Sequence, residues 1–392
     1  MPDERNTRLG ERIDEELAML HERAQFRTLE DPAGINLYSN DYLGLANDPR
    51  LKQATLEAME AAKSVGSTGS RLLSGNSREW QNIEAEFADF AGTEAALYFG
   101  SGYAANTGLI GAIAGRGDVV FSDALNHASL IDGIRLSSAS KVIYPHGDLD
   151  FLEVALRKYR DHPGAKLIVT ESVFSMEGDI APIARLVGMG REYGAEMIVD
   201  EAHATGVQGP RGRGVCAALG LQREIFASVH TCGKAFASAG AFVCGGASLR
   251  DYLINRARTF IFSTAPPPYM AGQIRAALEI ASGADDRRSH VRAISETLRR
   301  GLRAVGIGVG ASESQIVPLC LGGNEAALGV AARLQYAGFA VRAIRPPTVP
   351  EGTSRIRFSL TAALSMDEIV RLATATEEAV RSAQLLPASV HA

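Results

Sequence analysis

Short apolar runs alternate with longer amphipathic segments over most of the chain. The strand-length runs are residues 95–99, 118–122, 141–144, 166–171, 196–200, 225–230 and 240–244. Helix-length segments lie between most of them, such as residues 148–159 and 183–193. This alternation predicts an α/β fold with a mostly parallel central sheet and helices on both of its faces.

The two ends of the chain show different patterns. Residues 7–29 have helical spacing, and after a break at residues 31–34 a short strand is predicted at 35–38. After Pro266-Pro267-Pro268 the pattern predicts a long helix (270–302), two strands (315–319 and 355–360) and a helix between them (325–337). We therefore expect an N-terminal helix and arm (1–47), a large domain (48–275) and a smaller α+β C-terminal domain (276–392).

Composition narrows the class of protein. A chain of 392 residues with 46% hydrophobic and 22% charged residues is long enough for more than one core. A net charge of −5 without a basic patch gives no reason to expect nucleic acid as a partner. Four cysteines without a C-x-x-C pair argue against a zinc site or a disulfide framework. Residues 1–6 do not look like a signal peptide and no apolar run is long enough to span a membrane, so we expect a cytoplasmic protein.

Two strands of the predicted sheet end in residues that suit an aromatic aldehyde cofactor. Residues 196–200 end in Asp200, with His203 three positions later, and residues 225–230 are followed by Thr231 and Lys234. Pyridoxal 5'-phosphate (PLP) needs a lysine amine for its aldehyde, a carboxylate for its ring nitrogen and donors for its phenolic oxygen and phosphate. Ligands collect at the carboxyl ends of parallel strands, so these residues predict a PLP site with Lys234 as the Schiff-base lysine.

Both of the central residues also have an ordinary interpretation. Asp200 alone is as readily a helix N-cap, and most lysines are solvated surface charges. Lys234, however, lies among Gly233, Ala235 and Ala237, and small neighbours let a flat ring approach the backbone. A desolvated lysine also has a lowered pKa, which suits a nucleophile and a base.

Loops after other strands carry weaker signals. Residues 101–106 open a helix, and the backbone N–H groups of a helix start favour a phosphate. His127 suits the face of a pyridine ring, although a lone histidine is more often structural. Ser175 is a candidate donor to the cofactor, although serine is common in turns. Arg355 and Arg357 share one face of a predicted strand, where either suits a substrate carboxylate; a solvated edge strand is the ordinary alternative.

Taken together, these motifs resemble the α-oxoamine synthases, a family of PLP enzymes. The resemblance runs from the segment at 39–45 (SNDYLGL) to the segment at 355–357 (RIR). It rests chiefly on Asp-Glu-Ala-His at 200–203 and Thr-x-Gly-Lys at 231–234. The fold it implies is the PLP-dependent transferase fold type I, also called the aspartate aminotransferase fold. The segment 343–353 is more similar to the family members that use L-alanine than to those that use glycine.

The resemblance also implies roles for individual residues. Lys234, Asp200 and His127 are implied to be catalytic, with Asp200 on the ring nitrogen and His127 stacked on the ring. The residues implied to bind the cofactor are Gly102, Tyr103, His127, Ser175, Asp200, His203, Thr231, Lys234, Ser263 and Thr264. Those implied to bind substrate are Arg27, Asn40, Thr348 and Arg357. Ser263 and Thr264 match a segment that reaches a neighbouring subunit, which implies a homodimer with shared active sites.

The reaction implied by this resemblance is a decarboxylative condensation. An amino acid, L-alanine, is expected to join a pimeloyl group carried by coenzyme A or by acyl carrier protein, as in biotin synthesis. Glycine with acetyl-CoA, or serine with a long acyl thioester, remain as alternatives. A nicotinamide dehydrogenase predicts G-x-G-x-x-G after the first strand, which the chain lacks. A PLP-binding protein without turnover is disfavoured because the base, the ring partner and the carboxylate arginine are all present.

Overall fold

A computed structural model describes residues 7–31 and 33–383. Residues 1–6, on which the signal-peptide expectation depends, Pro32 of the predicted break, and residues 384–392 lie outside the described residues. The helices are α1 (Arg8–Glu22), α2 (Pro49–Ala61), α3 (Arg78–Ala91), α4 (Gly102–Ile113), α5 (Ala128–Leu136), α6 (Leu149–Lys158), α7 (Ile183–Tyr193), α8 (Val215–Ala218), α9 (Ala247–Arg256), α10 (Arg258–Ile261), α11 (Tyr269–Ser282), α12 (Asp285–Ala304), α13 (Asn324–Tyr336) and α14 (Met366–Ser382). The strands are β1 (Ile35–Asn36), β2 (Ala95–Phe99), β3 (Val119–Asp123), β4 (Ser140–Tyr144), β5 (Lys166–Glu171), β6 (Glu196–Asp200), β7 (Ala227–Thr231), β8 (Ala241–Gly245), β9 (Ile316–Gly322), β10 (Phe339–Ala340), β11 (Ala343–Ile344) and β12 (Ser354–Ser359).

A seven-stranded sheet forms the centre of the molecule, in the order β2-β8-β7-β6-β5-β3-β4. Strands β4, β3, β5, β6 and β7 are parallel, whereas β8 runs antiparallel to both β7 and β2. The prediction of a mostly parallel sheet is therefore confirmed. The neighbouring strand ends of this sheet carry the polar residues that the sequence singled out, because parallel strands end at the same edge.

The sheet is covered on both faces. On one face α3 packs through Trp80, which stacks on Tyr98 at 4.4 Å, and through Phe87, which stacks on Phe242 at 4.0 Å. On the other face α4, α5 and α9 contribute a second apolar cluster with residues such as Leu109. Burial on both faces explains why β2, β3 and β5 are entirely buried.

A smaller antiparallel sheet, in the order β11-β12-β9, has its own hydrophobic core with α12, α13 and α14. The N-terminal arm joins this part of the molecule, since β1 pairs in parallel with β10. Two predicted elements are wrong in extent. The helix expected at 270–302 is two helices, because Gly283 and Ala284 leave helical geometry between α11 and α12. Helix α1 ends at Glu22, and Ala24 just beyond it has a positive φ of 52°.

The division into parts 1–47, 48–275 and 276–392 stays a prediction. In the described ranges, the helices are all too short or too polar to cross a membrane.

Candidate active site

Asp200 lies at the carboxyl end of β6, buried and held by neutral donors. Its Oδ2 accepts from Asn106 Nδ2 at 2.7 Å, and its Oδ1 accepts from the backbone N–H of Ala202 at 2.8 Å. Turns follow Asp200 instead of a helix, so the helix-cap interpretation is wrong. Asn106, on the buried side of α4, was missed as a site residue, because an asparagine inside a predicted helix gives no signal of its partner.

Asn106 continues this network to His127. Its amide also donates to Ser129 Oγ at 2.9 Å, and Ser129 Oγ lies 2.7 Å from His127 Nδ1. The backbone N–H of Ser129 donates to the same nitrogen at 3.2 Å, because His127 is the N-cap of α5. Burial lowers the pKa of His127 although the charge of Asp200 opposes this. The His127 imidazole is therefore neutral, and the hydrogen bond from the N–H of Ser129 to Nδ1 fixes its orientation.

Lys234 lies in the loop after β7, and its Nζ is 2.8 Å from His203 Nε2. Burial lowers the pKa of Lys234 to about 8, against the opposing charges of Asp200 and Glu171. The surface-lysine interpretation is therefore wrong. His203 is buried, and burial together with the nearby Lys234 charge holds its pKa well below the ordinary value.

A buried tyrosine connects His203 to the smaller sheet. The hydroxyl of Tyr42 lies 2.6 Å from His203 Nδ1, 3.1 Å from Asn40 Oδ1 and 3.2 Å from Arg357 Nη2. Arg357 Nη2 also donates to Asn40 Oδ1 at 3.0 Å, so the two predicted carboxylate-binding residues are in contact. Arg357 Nε is buried and finds no acceptor among the described residues. The pair thus has an unused donor available for an anion.

Glu171 is a second buried acid beside Asp200 that sequence reasoning did not select. It pairs with Asp200 across β5 and β6 and is almost fully buried. Burial, followed by the charge of Asp200, raises the pKa of Glu171 well above its ordinary value. A signal was present, since Glu171 ends a predicted strand just as Asp200 does.

The start of α4 approaches the end of β7. Ser101 caps the helix by accepting from the N–H of Ala104 at 3.0 Å. A Cβ at Gly102 would come within 2.7 Å of Thr231 Cγ2, so only glycine fits this approach. Tyr103 donates to Asp132 and stands edge-on to His127 at 6.3 Å. The structure therefore brings the predicted phosphate-side residues together.

A cavity of about 730 Å³ opens beside this cluster. His127, Ser175 and Thr348 line it, together with the turn at 346–351. Arg27 closes against that turn, donating to the carbonyl of Pro346 at 3.2 Å and to Thr348 Oγ1 at 3.4 Å. The volume of this cavity lies in the range of small-molecule sites.

The other arginine of β12, Arg355, contacts residues outside the Lys234 cluster. Arg355 pairs with Glu177 at 2.6 Å and donates to the carbonyl of Met176 at 3.2 Å. Since β12 is the central strand of its sheet and both arginines are buried, the solvated-edge-strand interpretation is wrong. Arg357 is the arginine that faces the Lys234 cluster.

A charged triad supports the loops of the site. His146 lies 3.0 Å from Asp123 through Nδ1 and 3.0 Å from Asp179 through Nε2. Burial opposes its charge, but the hydrogen bonds to both carboxylates raise the pKa of His146 to about 10. Asp123 precedes the His127 loop and Asp179 follows Ser175, so the imidazolium ties these two loops together.

Ser263 and Thr264 are exposed and stand apart from these contacts. Thr264 forms a bridge with Ser70, and the adjoining Phe262 is 71% exposed.

The residues present fit PLP. The amine of Lys234 suits the aldehyde, and the buried carboxylate of Asp200 suits the ring nitrogen. The imidazole of His203 suits the phenolic oxygen, and the start of α4 suits the phosphate. Because residue 102 is a glycine, the start of α4 lies close to Thr231.

Comparisons with known proteins agree with this geometry. A family model described as Aminotransferase class I and II matches residues 32–375. An 8-amino-7-oxononanoate synthase of Burkholderia mallei is 49% identical over 354 residues, which cover 89% of each chain.

Solved structures of such enzymes superpose along nearly the whole chain. A serine palmitoyltransferase of S. paucimobilis, solved with a PLP–myriocin aldimine, matches with a TM-score of 0.89 and 30% identity, covering 97% of this chain and 100% of that one. An 8-amino-7-oxononanoate synthase of Francisella tularensis matches with a TM-score of 0.77 and 28% identity, covering 90% and 99%. The chain belongs to the class I and II aminotransferase family of PLP enzymes with fold type I, and within it to the α-oxoamine synthases.

Proposed function

We propose that this chain catalyses the PLP-dependent decarboxylative condensation of L-alanine with a pimeloyl thioester. The products are 8-amino-7-oxononanoate, carbon dioxide and the free thiol, and the pathway is biotin synthesis. The observation that carries the proposal is the meeting of Lys234, His203 and Asp200 beside the Asn40–Arg357 pair. It occurs in a chain that is 49% identical to 8-amino-7-oxononanoate synthases.

The donors and acceptors of the site support a binding role for each residue. Asp200, a buried acceptor, would hold the protonated ring nitrogen, and the start of α4 with Thr231 would hold the phosphate. Asn40 and Arg357 would bind the amino-acid carboxylate, for which Arg357 Nε is an unused donor. His127 would contact the ring, and Ser175 would donate to the phenolic oxygen.

The proton is moved by Lys234. When bound, PLP supplies an aldehyde for the substrate amine and a ring that accepts negative charge. Because burial lowers the pKa of Lys234 to about 8, its amine is readily neutral and accepts the α-proton of the amino acid. His203 Nε2 lies 2.8 Å from that amine. The cavity lined by His127 and Thr348, with Arg27 against its turn, receives the acyl group.

The proposal includes a cytoplasmic homodimer with shared active sites. Exposed apolar side chains surround the Ser263–Thr264 segment, and they support a second copy as the partner: Phe262, Leu72 and Leu73. The cytoplasmic location rests on the cysteine usage of the sequence.

Turnover assays test the reaction. Purified protein with PLP, L-alanine and pimeloyl-CoA is expected to release carbon dioxide and form 8-amino-7-oxononanoate, measured by mass spectrometry. Lys234→Ala is expected to abolish both turnover and the Schiff-base absorbance band, whereas Lys158→Ala, an exposed lysine on α6, retains both. Comparing pimeloyl-CoA with the pimeloyl acyl carrier protein identifies the carrier. Turnover with none of these acyl donors would overturn the proposal.

Subunit mixing tests the shared site. Lys234→Ala and Thr264→Ala chains are each expected to be impaired as homodimers, because each lacks one part of every site. A hybrid dimer regains one intact site and therefore activity. No recovery on mixing contradicts the shared arrangement.

A second candidate is condensation of serine with a long acyl thioester, which the TM-score of 0.89 to a serine palmitoyltransferase favours. Assays with serine and palmitoyl-CoA, and with glycine and acetyl-CoA, separate these reactions. A higher kcat/KM for either pair than for alanine and pimeloyl-CoA would replace the first proposal.

A further inference from the structure

The Tyr42 hydroxyl has one proton, and two atoms near it can accept that proton: His203 Nδ1 and Asn40 Oδ1. Arg357 carries only donors, so the Tyr42 oxygen accepts from Arg357 Nη2. Asn40 Oδ1 already accepts from Arg357 at 3.0 Å and from Ser359 at 3.4 Å. The contact with His203 Nδ1 is the shortest, at 2.6 Å. Its length favours His203 Nδ1 over Asn40 Oδ1, at 3.1 Å, as the acceptor of the Tyr42 proton.

The direction of that hydrogen bond decides where the imidazole proton lies. A neutral imidazole carries one N–H, so an Nδ1 that accepts from Tyr42 leaves the proton on Nε2. His203 Nε2 is the nitrogen that lies 2.8 Å from Lys234 Nζ. A protonated Lys234 would need Nε2 as an acceptor, so this tautomer belongs to the states in which Lys234 is neutral or bound to the cofactor.

We infer that Tyr42 is a positioning residue that acts through His203. By donating to Nδ1 it keeps the imidazole proton on Nε2, facing the reacting amine, and it links that proton to the Asn40–Arg357 pair. The effect on catalysis rests on the proposed function, whereas the tautomer does not. The backbone carbonyl of His203 also accepts from Nε2 of Gln315, the residue before β9, at 2.7 Å.

Tyr42→Phe tests the inference, because it removes the hydroxyl and keeps the ring. Imidazole nitrogen shifts are measured by NMR in histidine-labelled holoenzyme, with the His203 signal assigned by its loss in His203→Gln. Wild type is expected to show the Nε2–H tautomer, and Tyr42→Phe a shift towards Nδ1–H. We expect kcat to fall about 10–100-fold, as for other groups that orient a functional histidine, with little change in the KM for alanine.

Tyr193→Phe is the matched control, since its hydroxyl donates to Glu153 on α6 at 3.1 Å and takes no part in the contacts between His203, Tyr42 and Arg357. It is expected to leave both the His203 signal and kcat unchanged. An Nδ1–H tautomer in wild type overturns the inference even if Tyr42→Phe fails to fold. So does a rise in KM alone, which would place Tyr42 with the carboxylate pair. Absence of a cofactor band in wild type would instead remove the proposed function, and the tautomer is then read in the cofactor-free protein above pH 8.

Discussion

Two hydrogen-bond networks meet around Lys234, and they are built differently. One runs from Asp200 through Asn106 and Ser129 to His127 and lies within the large sheet and its helices. The other runs from Lys234 through His203 and Tyr42 to Arg357, and so joins the large sheet to the N-terminal arm and the small sheet.

The charges of the two networks differ as well. The first network has one formal charge, that of Asp200, whose oxygens accept short hydrogen bonds from neutral donors. This negative charge suits a cationic ring nitrogen. The second contains Lys234 and Arg357 but no carboxylate in the contacts that link them. An anion completes it, and the carboxylate of an amino acid supplies one. The first network is thus expected to control the chemical step, and the Asn40–Arg357 end of the second network is expected to bind the amino acid.

Asp200→Asn is the largest expected disruption of the first network. The amide keeps the shape of the side chain but cannot hold a protonated ring nitrogen, so kcat is expected to fall about 10²–10³-fold. Steady-state kinetics and the holoenzyme absorbance spectrum check this. Asp251→Asn, at an exposed position on α9, is the control and is expected to behave as wild type. A rise in KM with an unchanged kcat would reverse the roles assigned to the two networks.

Arg357→Lys addresses the second network. A lysine cannot present the fork of a guanidinium, and a hydrogen bond to a charged group contributes about 1.5–3 kcal/mol, so the KM for alanine is expected to rise about 10–100-fold. The acyl thioester KM is expected to change little. Arg355→Lys is the matched variant, on the same strand and paired with Glu177. If Arg355→Lys raises the alanine KM more than Arg357→Lys does, the choice between the two arginines is wrong.

The strand-end residues of both networks were predictable from sequence, and the residues that connect them were not. Asp200, His127 and Lys234 follow strands of one parallel sheet, and strand ends of a parallel sheet lie at one edge whatever the loop details. Asn106 escaped notice because its partner is distant in sequence, although it lies on the helix that follows β2.

Tyr42 shows why the connection within the second network could not be predicted. Its contact with Arg357 joins residues that are 315 positions apart, on an arm and a small sheet whose placement no periodicity specifies. The two arginines of β12 share a face by strand alternation, but only the packing against Glu177 distinguishes them. Helix breaks were also missed, since no proline marks the change from α11 to α12.

His146→Gln examines whether charge holds the loops of the first network. The folded-state pKa of His146 is about 10, above the ordinary 6.5, so its stabilisation is fully present below about pH 6.5 and is lost as pH rises towards 10. At pH 6 the variant is expected to be less stable by about 1–3 kcal/mol in denaturant unfolding. At pH 10 the difference shrinks. An equal difference at both pH values would mean that the imidazole contributes by packing and not by its charge.

Ser129→Ala is the mildest break in the first network. The hydroxyl lies between Asn106 and His127, but His127 Nδ1 keeps the backbone N–H of residue 129 at 3.2 Å. One lost hydrogen bond costs about 1 kcal/mol, so kcat is expected to fall only about fivefold. Ser137→Ala is the control, because the Ser137 hydroxyl donates to the carbonyl of Ile134 and accepts from the N–H of Ala139 at the other end of α5. In this variant the backbone N–H of residue 129 still donates to His127, whereas no backbone group replaces the Tyr42 hydroxyl. A decrease in kcat as large as that of Tyr42→Phe would therefore contradict the distinction between the two networks.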